Sequence, residues 1–436
     1  DSGVSLFCGL TVADPLSQFF KILIILTTLV TIILSANSRD LEQAPQFEYY
    51  AFLLTLTLGL VLMTSANHLL MIYLAIEMAS IASYVLAAYI TGDRRSGEAG
   101  LKYVLFGGVA SAIMIFGMSL MYGLTGSLQL SEIRVFLTDN PVDRLALLAS
   151  VIMIFAGLGY KMAAAPFHMW APDVYEGAPL PITAFLSVAS KAAGFAVTLH
   201  FVIVGLGTTI DGATTWAQLP DIDWQILVAC LSAVTMTVGN LLAIQQTNIK
   251  RFLAYSSIAH AGYLLMAVAA NSKAGVESIL FYFFVYFIMN LGAFLVASVV
   301  ANQFKTEDMA DYKGLVRQSP FGMVLALCMT IFLFSLTGIP PFAGFVGKWY
   351  IFKSVIDANL IWLAVVGIAN SVVSLFFYVR LVKFMLVDDK TSNLPVANTR
   401  WSMSTVIVAF AFLSLYFGIW FGPLVKWVQG AAIVLR

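Results

Sequence analysis

Apolar runs of membrane-crossing length follow one another along almost the whole chain, and they leave little choice of fold. Twelve are apparent, at residues 19–35, 49–64, 69–90, 102–123, 145 to about 178, 182–205, 226–245, 252–270, 276–301, 320–356, 360–387 and 401–422. A helix of roughly 17–25 apolar residues spans the hydrocarbon core of a bilayer. There the backbone must satisfy its own hydrogen bonds, which a helix does and an open strand does not. Charged residues are 11% of the chain, against about 25% in soluble domains. The expected fold is therefore an all-α polytopic membrane protein with about twelve transmembrane helices. The largest loops, 124–144, 206–223 and 302–319, are too short to fold alone.

A formal net charge of zero speaks against nucleic acid as the main ligand. Cys8, Cys230 and Cys328 stand apart without metal-site spacing and read as buried thiols. The chain opens on Asp1 without a signal-peptide pattern, so residues ahead of it are expected to be missing. Basic residues divide unevenly between alternate loops. Arg39, Arg94, Arg95, Lys250, Arg251, Lys305, Lys313, Arg317, Lys390 and Arg400 fall on one side, and Arg134, Arg144, Lys273, Lys426 and Arg436 on the other. The richer side is expected to be cytoplasmic, or its organellar equivalent, with both termini of this chain outside.

Two of the spans break the rule that a membrane helix should be continuous. After Lys161 the chain runs through Pro166, His168, Pro172, Asp173, Glu176, Gly177, Pro179 and Pro181 before a second apolar run that carries Lys191. Each proline removes a backbone donor and disfavours helix just before it. Freed backbone groups at membrane depth are tolerated only where protein or a water-filled cavity satisfies them. The second break, SLTGIPPFAGFVGKW, places Gly338, Pro340, Pro341, Gly344 and Gly347 ahead of Lys348. If residues 49–205 and 226–387 are two five-helix repeats, each break falls in the fourth span of its unit. Five is odd, so the second unit enters the membrane inverted, an arrangement that points to a transport pathway between the repeats. The remaining pieces are an N-terminal helix and loop (1–48), a linker (206–225) and a C-terminal helix (388–436).

Ionisable residues inside the spans are few, and at such depth the default reading is functional. Glu77 lies near the centre of its span with Ser80 and Tyr84 on its helical face, and Lys161 is the candidate partner; a static pair fastening two helices is the alternative. Lys191 has no acid nearby in sequence. Burial disfavours its charged form, so such an amine can load and release a proton. Lys348 beside its glycine-rich break is a similar candidate. His168, in the break itself, could bridge Lys161 and Lys191, with a satisfied structural histidine as the alternative. His260 stands in the polar row Ser256, Ser257, His260, Tyr263, as a relay element or as an interhelical hydrogen bond. Lys21, Lys102, Glu277, Arg380 and Lys383 lie where snorkelling explains them, and His68 and His200 carry no constellation. Asp173 and Glu176 read as caps or hydrogen bonds of the re-entrant turn.

The strings KMAAAPFHMWAPDVYEGAP, SVASK, NIKRFLAYSSIAHAGY and GIPPFAGFVGKWY resemble the signatures of the antiporter-like subunits of proton-pumping NADH:quinone oxidoreductase, respiratory complex I, and the subunit N group most closely. The resemblance runs from about Glu77 to Lys383 with four motifs in order. It implies proton transfer through Glu77, Lys161, His168, Lys191 and Lys348, and Lys102 matches a further lysine of this group. His260 joins that set from the polar row. It also implies a translocase subunit without redox chemistry of its own. NADH, FMN, Fe–S centres and quinone would belong to other subunits, and neighbouring antiporter-like subunits and lipid would be its partners. Bacterial members carry about two more helices ahead of residue 19. The expected location is a bacterial inner membrane, or an organellar energy-converting one. A subunit of a multi-subunit sodium/proton antiporter shares the architecture and is the runner-up. A haem protein is a poor third, since the four histidines fall one to a region and no Cys₄ cluster or Gly-rich nucleotide loop is present.

Overall fold

A computed structural model describes residues 4–42, 44–208, 217–218, 223–389 and 401–432. Lys390, Arg400 and Arg436, used above for sidedness, lie outside the described residues. A small hairpin of β1 (Val4–Leu6) and β2 (Thr11–Ala13) leads into α1 (Pro15–Ala36). Then come α2 (Gln46–Thr64), α3 (Leu69–Ala87), α4 (Arg94–Thr125), the short α5 (Leu130–Asp139), α6 (Arg144–Met162) and α7 (Trp170–Gly177). The next span is α8 (Leu180–Phe185) and α9 (Lys191–His200), with π-helical turns at Leu186–Ser190 and Phe201–Gly205. A two-residue pairing of β3 (Gly207–Thr208) and β4 (Ala217–Gln218) precedes α10 (Trp224–Ala243), α11 (Ile249–Ala269) and α12 (Lys273–Phe304). The chain closes with α13 (Pro320–Thr337), α14 (Ala343–Asp357), α15 (Ile361–Leu386), α16 (Trp401–Ile419) and α17 (Gly422–Ala431). Among the described residues, twelve helical segments are long and apolar enough to cross a membrane.

Local chemistry sets the helix ends. The Asp14 carboxylate accepts from the Ser17 amide at 2.7 Å, and the Ser17 hydroxyl closes the reciprocal bond, a capping box ahead of Pro15. Asn248 accepts from the amides of Lys250 and Arg251 at the start of α11, and Ser319 followed by Pro320 opens α13. Both broken spans stop on a left-handed residue, Ala163 after α6 and Gly338 after α13. The chain then turns through a prolyl segment and starts a new helix, α7 in one case and α14 in the other. Gly344 is obligatory for that second restart, because a Cβ there would overlap the Ser335 carbonyl oxygen.

The layers follow from burial. The α8–α9 span is wholly buried and α11 and α12 nearly so, whereas α4, α15 and α16 turn apolar faces outward. At the centre, α11 packs against α7 of the first broken span and against α14 of the second. The loops carrying Arg39, Arg95, Lys250 and Lys305 line one polar cavity of about 730 Å³, so these basic residues do share one side. On the opposite side Val12 pairs with Ser65, and Asn67 with Leu10.

Several expectations need correction. Cys8 and Cys230 are exposed on this chain and only Cys328 is buried. The loop 124–144 contains the amphipathic helix α5, whose apolar side (Leu130, Ile133, Leu137) is buried. Arg380 does not reach for solvent; its guanidinium donates to the Ile244 and Gln246 carbonyls at 2.5 and 2.7 Å and closes the end of α10.

Candidate functional site

Four lysines are almost completely buried, Lys161, Lys191, Lys250 and Lys348, and two of them, Lys191 and Lys348, contact residues of α11. Lys191 opens α9 immediately after a π-helical turn and is 2% exposed. With no acid in contact, its ammonium donates to the Ser257 carbonyl at 2.5 Å and the Ser257 hydroxyl at 2.9 Å. The buried hydroxyls of Tyr175 on α7 and Tyr286 on α12 face the same serine. One turn further along α11, His260 Nδ1 meets the Tyr282 hydroxyl at 2.5 Å and Nε2 meets the Tyr378 hydroxyl at 3.2 Å. Tyr378 also bonds the hydroxyl of Ser256 at 2.5 Å. His260 is within electrostatic reach of both Lys191 and Lys348.

Lys348, in α14, completes the row. It donates to the Thr337 carbonyl at 2.9 Å and the Ser371 hydroxyl at 3.3 Å, and its charge lies 4.4 Å from the centre of the Tyr263 ring. Tyr263 bonds Ser371 and Asn240 in turn. A small cavity of about 220 Å³ beside Lys348 is bounded by Gly338, Phe345, Trp349 and Ser371. Trp349 is 61% exposed, so this cavity opens toward the lateral surface.

At the other end of the row the expected Glu77–Lys161 contact is replaced by two separate bonds. Lys161, in the last turn of α6, donates to Ser80 at 3.3 Å, and Glu77 accepts from Ser111 on α4. Among the described residues no ion pair joins the two charges. The reason is angular: Ser80, three residues on, faces the core, whereas Glu77 is turned toward the half-exposed outer stripe of Leu70, Leu74 and Ile81. Glu77 still acts on Lys161 through space. The Lys161 stem packs against α9 at Gly194, one turn past Lys191, where an added Cβ would sit 3.6 Å from Lys161 Cγ. Lys161 and Lys191 are thus neighbours across two helices.

His168 does not bridge those lysines. It lies in the turn between α6 and α7, with Nδ1 buried and without a hydrogen-bond partner.

Asp173 and Glu176 are not caps of the turn either. Asp173 binds Lys102 of α4 and Arg251 of α11, both at 2.5 Å, and Glu176 binds Arg251 at 2.9 Å. Lys102 also pairs with Glu98 at 2.7 Å. The Asp173 carboxylate thus sits between the Lys102 ammonium and the Arg251 guanidinium. This cluster ties α4, α7 and α11 together beside the 730 Å³ cavity. Lys102 therefore belongs to the mouth and not to the buried row. Lys250, counted above among loop charges, is 4% exposed and pairs with Glu307 at 2.6 Å. Among the described residues no group of three His, Cys, Asp or Glu is placed to hold a metal ion.

Tyr282 and Tyr378 complete the row and were not singled out from sequence, whereas Ser257 was read there as part of the polar row. Their signal was present, as hydroxyl-bearing residues at helical spacing in otherwise apolar spans (Tyr282 and Tyr286 are one turn apart). Partners on other helices could not be assigned without the fold.

Twelve crossings, two of them interrupted, around a buried row of lysines define an antiporter-like polytopic membrane protein. Residues 66–374 match the family model described as NADH:quinone oxidoreductase/Mrp antiporter, TM. NADH-quinone oxidoreductase subunit N of Anaeromyxobacter sp. (strain Fw109-5) is 44% identical, over 99% of this chain and 86% of that protein. A chain of respiratory complex I from Thermus thermophilus with bound aureothin superposes with a TM-score of 0.79 at 32% identity, covering 97% of this chain and 88% of that one. A chain of the Mrp complex from Dietzia sp. DQ12-45-1b, at 19% identity and a TM-score of 0.80, shares the fold. The chain belongs to the family of antiporter-like membrane subunits of NADH-quinone oxidoreductase, in its subunit N group.

Proposed function

We propose that this chain is a proton-translocating subunit in the membrane arm of an NADH:quinone oxidoreductase, driven by quinone reduction elsewhere in the complex. One observation carries the reading: two lysines and a histidine are buried within the apolar helices, each in contact with hydroxyl groups and not with carboxylates. A cation held by neutral donors and acceptors gives up its proton without breaking an ion pair, which is what a relay requires.

In this reading Lys191 is the central proton holder, reached from the cavity on the basic-loop side, which is cytoplasmic. Glu77 and Lys161 sense the adjoining subunit, His260 passes protons along α11, and Lys348 hands them on. Lys102 and His168 act at the cytoplasmic mouth and in the broken span. Residues 49–205 and 226–387 are two inverted halves meeting at α11. The outward apolar stripes beside Glu77 and Lys348 seat neighbouring subunits or lipid. The chain holds no cofactor; NADH, FMN, Fe–S centres and quinone bind other subunits. Its bacterial relatives support a location in a bacterial plasma membrane.

The test is Lys191→Ala in the whole complex reconstituted into liposomes. Loss of proton pumping and of coupled quinone reduction in an assembled complex is expected; undiminished pumping would refute the reading.

A further inference from the structure

A second titratable site lies off this row. His200, the last residue of α9, places Nε2 3.1 Å from Asp14 Oδ2, and the two side chains are 1% and 0% exposed. Sequence alone gave His200 no partner, because Asp14 is 186 residues away. The geometry limits how many protons the pair can hold. His200 Nδ1 lies 3.0 Å from the Ala196 carbonyl, which can only accept, so Nδ1 carries hydrogen. Between Nε2 and Oδ2 there is then either one proton or none. With one, on imidazole or on carboxyl, the pair is neutral and hydrogen-bonded. With none, two lone pairs face each other and the pair carries one negative charge.

The surroundings tolerate both states. Asp14 is the N-cap of α1, where the helix dipole and the Ser17 amide favour the carboxylate, and Lys21 on the same helix is within electrostatic reach. The position is also suited to transfer. His200 and Lys191 are the only titratable side chains in residues 180–205, and each adjoins a π-helical turn, a feature frequent at functional sites. Nine residues of helix put His200 roughly 13 Å along the axis from Lys191. Asp14 joins it beside the layer of β2 and the α2–α3 turn, on the face opposite the basic loops.

We propose that Asp14 and His200 form a proton-holding site on the outer side of the chain that takes protons from Lys191 as a second outlet beside the Lys348 route. The inference rests on the function proposed above. The ammonium of Lys191 loses a proton and becomes an amine, the ionised pair gains it and becomes neutral, and the pair then releases it to the outer aqueous face.

The test is Asp14→Asn in the reconstituted complex, read as protons pumped per NADH oxidised. Asparagine caps a helix as well as aspartate and can still donate to Nε2, so a purely structural role is preserved by this change and a proton-holding role is not. A lowered ratio in a fully assembled complex is expected, and His200→Gln should lower it too. The wild-type ratio in either assembled variant overturns the site. Lys191→Ala run in parallel separates the two ideas. If it abolishes pumping while Asp14→Asn does not, only the outer site falls; if it too pumps normally, the functional reading falls and the outer site with it.

Discussion

Lys191 and Lys161 bury the same group in different company, and their variants should differ accordingly. Lys191 is held by Ser257 alone, so Lys191→Arg keeps the charge and the donors but places a group there that does not release its proton. Pumping in liposomes is expected to fail in the arginine variant as in the alanine one; full pumping would remove Lys191 from the relay. Lys161 rests on Ser80 with Glu77 beyond contact range. Their attraction is therefore below the ~4 kcal/mol of unit charges 4 Å apart at an effective dielectric near 20. If Glu77 nonetheless works through Lys161, a double-mutant cycle of Glu77→Gln and Lys161→Ala should give a double mutant little worse than the poorer single one. Losses that multiply would make them independent carriers. Glu77→Asp should retain part of the activity.

At the scale of elements the decisive features are the two interruptions. Gly338 ends α13 at φ +87°, and an added Cβ would stand 2.8 Å from Lys348 Cδ. Gly338→Ala carries a left-handed penalty of about 1–2 kcal/mol and pushes the Lys348 stem away from Thr337 and Ser371. Assembly should survive while pumping drops; unaltered pumping would show that Lys348 does not need this placement. Sequence located both breaks from their prolines and glycines, since those residues act on their own backbone. It did not show that α7 is held by an ion cluster, because Lys102, Asp173 and Arg251 lie on three different helices.

For the whole molecule, the expectation is that charge moves through this chain and electron transfer takes place in other subunits. The charged row runs between the two broken spans, and the chain offers thiols and histidines one at a time. The purified chain is expected to carry no haem, flavin, Fe–S centre or stoichiometric metal. Absorption spectroscopy and metal analysis check this, and a reproducible Soret band would overturn it.

Composition and apolar periodicity were enough for the membrane class, the number of crossings and the positions of the breaks, since each depends on local backbone chemistry and on the length of a hydrocarbon slab. They also marked Glu77, Lys161, Lys191, Lys348 and His260, because charge or imidazole in an apolar run is conspicuous wherever it occurs. What each of these groups touches was decided only by the fold. Glu77 meets Ser111 of α4 and not Lys161, His168 Nδ1 has no partner, and Asp14 reaches His200 only because α1 packs against α9. A side chain's depth can be read along one helix; its partner is set by the helices around it.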